Sequence, residues 1–143
     1  MRQLERVFVA LGSNLGEREA HLAHARARLA VLPHTHLVAA SAIEETAPLG
    51  PVAQGPFLNQ MVLLLTGLEP TELLVHCLAI ESERGRERHE RWGPRTLDLD
   101  IVRFGVRTVQ EPGLVIPHPE LSHRDFWQRE LAELDALVTA AHD

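Results

Sequence analysis

Apolar and polar positions along the chain divide it into a short series of elements. Residues 6–12, RVFVALG, form an apolar run that reads as a strand and ends in the turn-like GSNLG. In GEREAHLAHARARLAVLP, Leu22, Ala25, Leu29 and Leu32 recur at helical spacing, Asn14 and Glu17 stand where a capping box would, and Pro33 closes the segment. Residues 36–46, HLVAASAIEET, suit a second strand, and APLGPVAQGP, with three prolines and two glycines, is a long loop. A third strand, FLNQMVLLLTG, follows. A second helix is expected from Pro70 through TELLVHCLAIESERG, with Leu73, Leu74, Cys77, Leu78 and Ile80 directed mostly inward. A fourth strand over 97–104, a hairpin around Gly105, a short run near Val115 and a helical tail, HRDFWQRELAELDALVTAAH, complete the chain.

The order strand, helix, strand, strand, helix, strand predicts an α+β, ferredoxin-like βαββαβ sandwich. It has an antiparallel sheet, both main helices on one face, and an extra C-terminal hairpin and helix. No repeat, low-complexity stretch or linker interrupts it, so one domain over 1–143 is expected.

Composition narrows the function classes. With 45% hydrophobic and 24% charged residues the chain has an ordinary globular balance. Its one cysteine, Cys77, reads as a small buried hydrophobe, with no zinc framework around it. The first residues lack the apolar run of a signal peptide and no window reaches the roughly 20 apolar residues of a membrane span, so a cytoplasmic protein without a membrane partner is expected. A net charge of −6 argues against general affinity for nucleic acid. All 14 basic residues are arginine, which removes a Walker A lysine, a Schiff base and a lysine base together.

The charge is uneven. Residues 84–95 hold Arg84, Arg86, Arg88, Arg91 and Arg95 against Glu87 and Glu90, and this is where an anion would go. Directly after it comes TLDLDI. On a strand, Asp98 and Asp100 share one face while Leu97, Leu99 and Ile101 share the other. Two carboxylates roughly 7 Å apart along a strand can bracket one or two hard cations, and Mg²⁺ needs no more from a protein when water and phosphate fill its other positions. Acids beside arginine forks suggest a metal-bound polyphosphate. Gly93-Pro94 turns the loop so that Arg91, Trp92 and Arg95 can reach over a cleft, and Trp92 suits stacking on a flat ligand. Further on, His118 is held between two prolines, with Arg124 and Phe126 behind it. His21, His24, His34 and His36 read as structural or solvent-facing.

These motifs together resemble the 6-hydroxymethyl-7,8-dihydropterin pyrophosphokinase family. The likeness runs from residue 7 to about 126, through VALGSNLG, ETAPLGP, FLNQMV, ELLVHCLAIESERGR, RWGPRTLDLDI and IPHPELSHRDF. The resemblance implies the same fold and a transfer of the β,γ-diphosphate of ATP to the hydroxymethyl group of the pterin, with AMP released, in folate biosynthesis. It implies that Asp98 and Asp100 hold two Mg²⁺ ions and that Arg86 and Arg95 act as mobile-loop arginines that steady the transferred charge. It further implies that Arg88, His118 and Arg124 contact phosphates, that Glu81 and Ile101 lie near the nucleotide, and that Trp92 closes over the site. Phe57 and Phe126 would sandwich the pterin, Asn59 would hydrogen-bond it, and Thr46, Pro48 and Leu49 would line its pocket. The chain departs from the pattern at Gly113, where some members have arginine, and at Pro119, where some have tyrosine. Its WQRELAELDALVTAAHD tail replaces an aromatic-rich end and is expected to pack without touching the active site.

Two rival classes fit less well. A nucleotidyl- or phosphotransferase using the acid pair remains an alternative, but in nucleotidyltransferases the Gly-Ser lies shortly before the acids, whereas Gly12 and Ser13 here precede Asp98 by 86 and 85 positions. An RNA-binding ferredoxin-like domain needs strand aromatics for stacking, and this chain has no tyrosine and four phenylalanines. The resemblance implies small-molecule partners, ATP and the pterin, and a monomer is expected.

Overall fold

The first strand, β1 (Glu5–Ser13), lies at the centre of a sheet, and its apolar run from Val7 to Leu11 is covered on both faces. The fold comes from a computed structural model that describes residues 2–48, 50, 53–85 and 96–142. After β1 come α1 (Arg18–Ala30), β2 (Thr35–Ala40), β3 (Glu44–Thr46), β4 (Phe57–Thr66), α2 (Pro70–Glu83) and β5 (Asp98–Phe104). A two-stranded hairpin of β6 (Val109–Glu111) and β7 (Leu114–Ile116) follows, then a 3-10 turn (Leu121–His123) and α3 (Asp125–His142).

The main sheet has the order β2-β4-β1-β5, with β3 continuing along β4, and every pairing is antiparallel. This is the ferredoxin-like arrangement expected from the element order. Strand alternation sorts the side chains into two cores. Val7, Val9, Leu11, Leu58, Val62, Leu64, Leu99 and Ile101 pack against Leu22, Ala25 and Leu29 of α1 and Leu73, Cys77 and Ile80 of α2. On the other face, Ala10, Met61, Leu63 and Val102 are covered by Trp127, Leu131 and Leu134 of α3. The two main helices thus share one face, and α3 makes a third layer on the other.

Local expectations changed in four places. The capping box drawn from Asn14 and Glu17 does not form; Glu17 is the N-cap of α1 without a side-chain bond. The Asn14 amide instead donates to Gln54 Oε1 at 2.7 Å and to the Gly55 carbonyl at 3.0 Å, tying the long loop to the end of β1. A capping box does occur on α2, between Glu69 and Glu72 behind Pro70. The single strand expected over 36–46 divides into β2 and β3. The Ser41 hydroxyl accepts from the Met61 amide at 2.9 Å and the Ser41 carbonyl accepts from Gln60 Nε2 at 2.7 Å, so side-chain bonds interrupt the regular ladder there, beside one backbone bond from the Ser41 amide to the Met61 carbonyl at 2.8 Å. Leu78 is 49% exposed, because it lies off the stripe set by Leu73, Cys77 and Ile80. Finally, the chain turns at Gly105 (φ 54°) without pairing back onto β5, and the hairpin closes instead at Gly113 (φ 76°), a left-handed position that suits glycine.

Candidate active site

Register places the chemistry-bearing residues in rows across the sheet. Glu44 of β3 pairs with Asn59 of β4, Asn59 with Gly12 of β1, and Gly12 with Asp98 of β5. The neighbouring row is Met61, Ala10 and Asp100. Met61, Ala10 and Val102 are under α3, so by alternation Asn59, Gly12, Asp98 and Asp100 belong to the α3 face, opposite the helices α1 and α2. Asn59 and Asp98 are two strand spacings apart, roughly 10 Å.

Between them Gly12 contributes no side chain. A Cβ built there would stand 3.5 Å from Asn59 Oδ1 and 3.6 Å from Phe57 Cδ1, both ordinary contacts, so the buried glycine leaves the room of a Cβ beside both. Asn59 is 7% exposed and donates from Nδ2 to the Thr46 hydroxyl, which orients its amide. Thr46 pairs with Phe57 in the ladder, and Phe57, Thr46 and Pro48 are each half-buried. The residues implicated in the pterin pocket on β3 and β4 are therefore assembled around Gly12.

A second group gathers at the start of α3. The His118 amide donates to the Val102 carbonyl at 2.9 Å, which lays the His118 loop along β5. His118 Nδ1 accepts from the Glu120 amide at 3.1 Å, so the neutral ring carries its proton on Nε2. That nitrogen is 3.6 Å from Asp100 Oδ1. The His118 ring meets Trp127 edge to face at 4.9 Å and 90°, and the Arg124 guanidinium carbon lies 4.4 Å above the same indole. Trp127, 2% exposed, is the common support of both. Arg124 Nε is buried and meets no acceptor among the described residues. A buried, unmet donor on a cation is the condition in which an anion is expected to bind. Phe126, half-buried, packs at 6.3 Å and 73° against Trp127.

The remaining expected residues take other positions. Glu81 is 6% exposed and its Oε2 accepts from the Leu99 amide at 2.7 Å. Ile101, 5% exposed, belongs to the core on the α1 and α2 face, away from both aspartate side chains. Leu49, Arg86, Arg88, Trp92 and Arg95 lie outside the described residues. Cys77 is fully buried as expected, and burial, with the Glu81 and Asp100 carboxylates, raises its thiol well above the ordinary value, so it is no nucleophile. His21 and His24 are structural: Arg84 Nε donates to His21 Nδ1 at 2.9 Å, and His24 pairs with Glu83 at 2.8 Å.

Among the described residues no three His, Cys, Asp or Glu side chains converge as a complete metal cage. The acid pair fits Mg²⁺, which is commonly held by one or two carboxylates with substrate phosphates and water, and the unmet Arg124 donor nearby fits the phosphates.

Two residues escaped sequence reasoning. Gly12 stands out by lacking a side chain, and the sequence drew attention to it only through the turn-like GSNLG and its distance from Asp98. Trp127 sat in a tail that was expected to pack away from the site, whereas it carries both His118 and Arg124. The signal was present in the order His-Arg-Asp-Phe-Trp, which places an aromatic three residues after Arg124, within one turn of helix.

A family model described as 7,8-dihydro-6-hydroxymethylpterin-pyrophosphokinase matches residues 8–136. The chain is 46% identical over 131 residues to a Pseudomonas aeruginosa protein named 2-amino-4-hydroxy-6-hydroxymethyldihydropteridine pyrophosphokinase, covering 92% of this chain and 81% of that one. Proteins of the same name from Bacillus subtilis, 43% identical over 89% of this chain and 76% of the relative, and from Methylorubrum extorquens, 41% identical over 92% and 83%, match as well.

Proposed function

We propose that this chain, which belongs to the 7,8-dihydro-6-hydroxymethylpterin-pyrophosphokinase family, transfers the β,γ-diphosphate of ATP to the hydroxymethyl group of 6-hydroxymethyl-7,8-dihydropterin. The products are the pterin diphosphate and AMP, in folate biosynthesis. The observation that carries the reading is the row Asn59, Gly12, Asp98: an oriented amide, an open floor and a carboxylate on one sheet face.

In this reading the pterin lies over Gly12 between Phe57 and Phe126. Asn59, steadied by Thr46, satisfies its polar edge, Pro48 lines the pocket, and the family pattern assigns Leu49 to it as well. The triphosphate lies toward Asp98 and Asp100, with Arg124 and His118 on its oxygens. A bond forms between the pterin hydroxymethyl oxygen and the β-phosphorus as the bond from that phosphorus to the α-bridging oxygen breaks, AMP leaves, and the hydroxyl proton is released to solvent. There is little covalent work for the protein, so positioning and charge stabilisation supply the rate. Two Mg²⁺ ions held at Asp98 and Asp100 would neutralise charge on the triphosphate. From the family pattern, Arg86 and Arg95 would steady the transferred charge, Arg88 would contact phosphate, and Trp92 would close over the site and exclude water.

The protein is proposed to act as a cytoplasmic monomer. No helix among the described residues is long and apolar enough to cross a membrane. Incubation of the purified protein with ATP, Mg²⁺ and the reduced pterin tests the reading. AMP should accumulate only when the pterin is present; ADP as the product, or no product from folded protein, would overturn it.

A further inference from the structure

Two carboxylates can share cations only if the strand that carries them holds its shape, and β5 is an edge strand. On one side it pairs with β1, where Gly12 and Ala10 stand opposite Asp98 and Asp100. Among the described residues no strand pairs with its other side, and an edge there would leave outward amides unmet. Leu99, the residue between the two acids, directs its N–H to that side, where Glu81 Oε2 accepts it at 2.7 Å. Glu81 comes from the last turn of α2, is 6% exposed, and lies one helical turn beyond Cys77, which is itself fully buried in the core with Leu97, Leu99 and Ile101. Its carboxylate is thus fixed by packing, and the bond is short, as charge-assisted bonds are.

We propose that Glu81 is a positioning residue for the Asp98 and Asp100 pair, acting through the Leu99 peptide instead of through contact with the nucleotide. The inference rests on the reading of that pair as the metal site. Alternation explains how it works. The peptide that Glu81 holds is the one that sets the angle between the two acid-bearing positions, so its release lets the carboxylates splay while β1 still holds the strand. Outer-shell partners of metal ligands act in this way, and their loss commonly weakens metal binding about tenfold or more.

The test compares Glu81→Gln, which keeps an acceptor oxygen and loses the charge, with Glu81→Leu, which loses both. Binding of Mn²⁺ is measured in the presence of an ATP analogue with a methylene bridge between the α and β phosphorus, together with hydrogen exchange at the Leu99 amide. The expected result is near-native Mn²⁺ affinity and Leu99 protection in Glu81→Gln, against about tenfold or more weakening and fast Leu99 exchange in Glu81→Leu. Native affinity in a folded Glu81→Leu protein would overturn the proposal. So would Mn²⁺ binding lost in Glu81→Gln while Leu99 stays protected, because that pattern belongs to direct charge contact; this arm decides the matter alone if the leucine variant does not fold. Asp98→Ala, measured beside them, separates the two readings. If it leaves Mn²⁺ binding unchanged, the metal-site reading itself has failed; if it abolishes binding while Glu81→Leu does not, only the role of Glu81 has failed.

Discussion

Arg124 stacks on Trp127, with the guanidinium carbon 4.4 Å above the indole and its Nε buried without an acceptor among the described residues. The stack holds a cation ready without neutralising it. Arg124→Leu should raise the KM for ATP by roughly 10- to 100-fold, the range of a charge-assisted contact of about 1.5–3 kcal/mol, and leave the melting temperature close to native. Steady-state kinetics beside thermal unfolding checks this. An unchanged KM would remove Arg124 from the phosphate site.

Trp127 has a double role, which gives a different signature. Trp127→Ala removes the largest side chain in the core beneath α3 and should destabilise by about 3–5 kcal/mol. In the protein that remains folded it should also weaken ATP binding, because both Arg124 and His118 lose their support. Urea denaturation with nucleotide binding at low temperature separates the two effects; loss of stability with native nucleotide affinity would confine Trp127 to the core.

Gly12 makes the complementary prediction. Its backbone is ordinary strand, and a Cβ there meets its neighbours at ordinary contact distance, so Gly12→Val should fold and keep the sheet. The added methyls occupy the floor beside Asn59 and Phe57, and pterin binding measured by calorimetry should fall below detection. Native pterin affinity in that variant would displace the pocket from Gly12.

Sequence and structure agreed where the chemistry has a period. Asp98 and Asp100 could be assigned to one face because strand alternation is strict, and the two-helix face followed from the stripes of α1 and α2. What could not be read depends on contacts distant in sequence. Ser41 breaks one strand into two through bonds to Gln60 and Met61, 19 and 20 positions away. Asn14 abandons its capping role for a loop some 40 positions on. Glu81 looked like a nucleotide neighbour by family pattern, and only tertiary packing brings its carboxylate to the Leu99 amide. Gly12 carries no chemistry of its own, so only the register of three strands shows what its absent side chain does.

Glu130 of α3 offers a pH test independent of catalysis. It is 2% exposed, and neither carboxyl oxygen meets a donor among the described residues. Burial first, then the Glu44 carboxyl facing it from β3, and more weakly Glu133, push its pKa up to about 8, against the opposing pull of Arg129. The folded state therefore binds this proton more tightly than the unfolded chain, where the value is near 4.5. Stability from this group is full at low pH, falls between about 4.5 and 8, and stays low above that range. Glu130→Gln should flatten that part of the curve and leave the protein more stable than the parent above pH 8. Urea midpoints from pH 5 to 9 for both proteins check it; parallel curves would contradict it.

The central claim, transfer of an intact diphosphate from ATP to the pterin, is tested most directly by following the phosphorus atoms. ATP labelled separately at the α, β and γ positions is incubated with the protein, Mg²⁺ and 6-hydroxymethyl-7,8-dihydropterin, and the products are separated. The β and γ labels should both move to the pterin in equal amounts while the α label remains in AMP. Transfer of the γ label alone, or of the α label to the pterin, would contradict it.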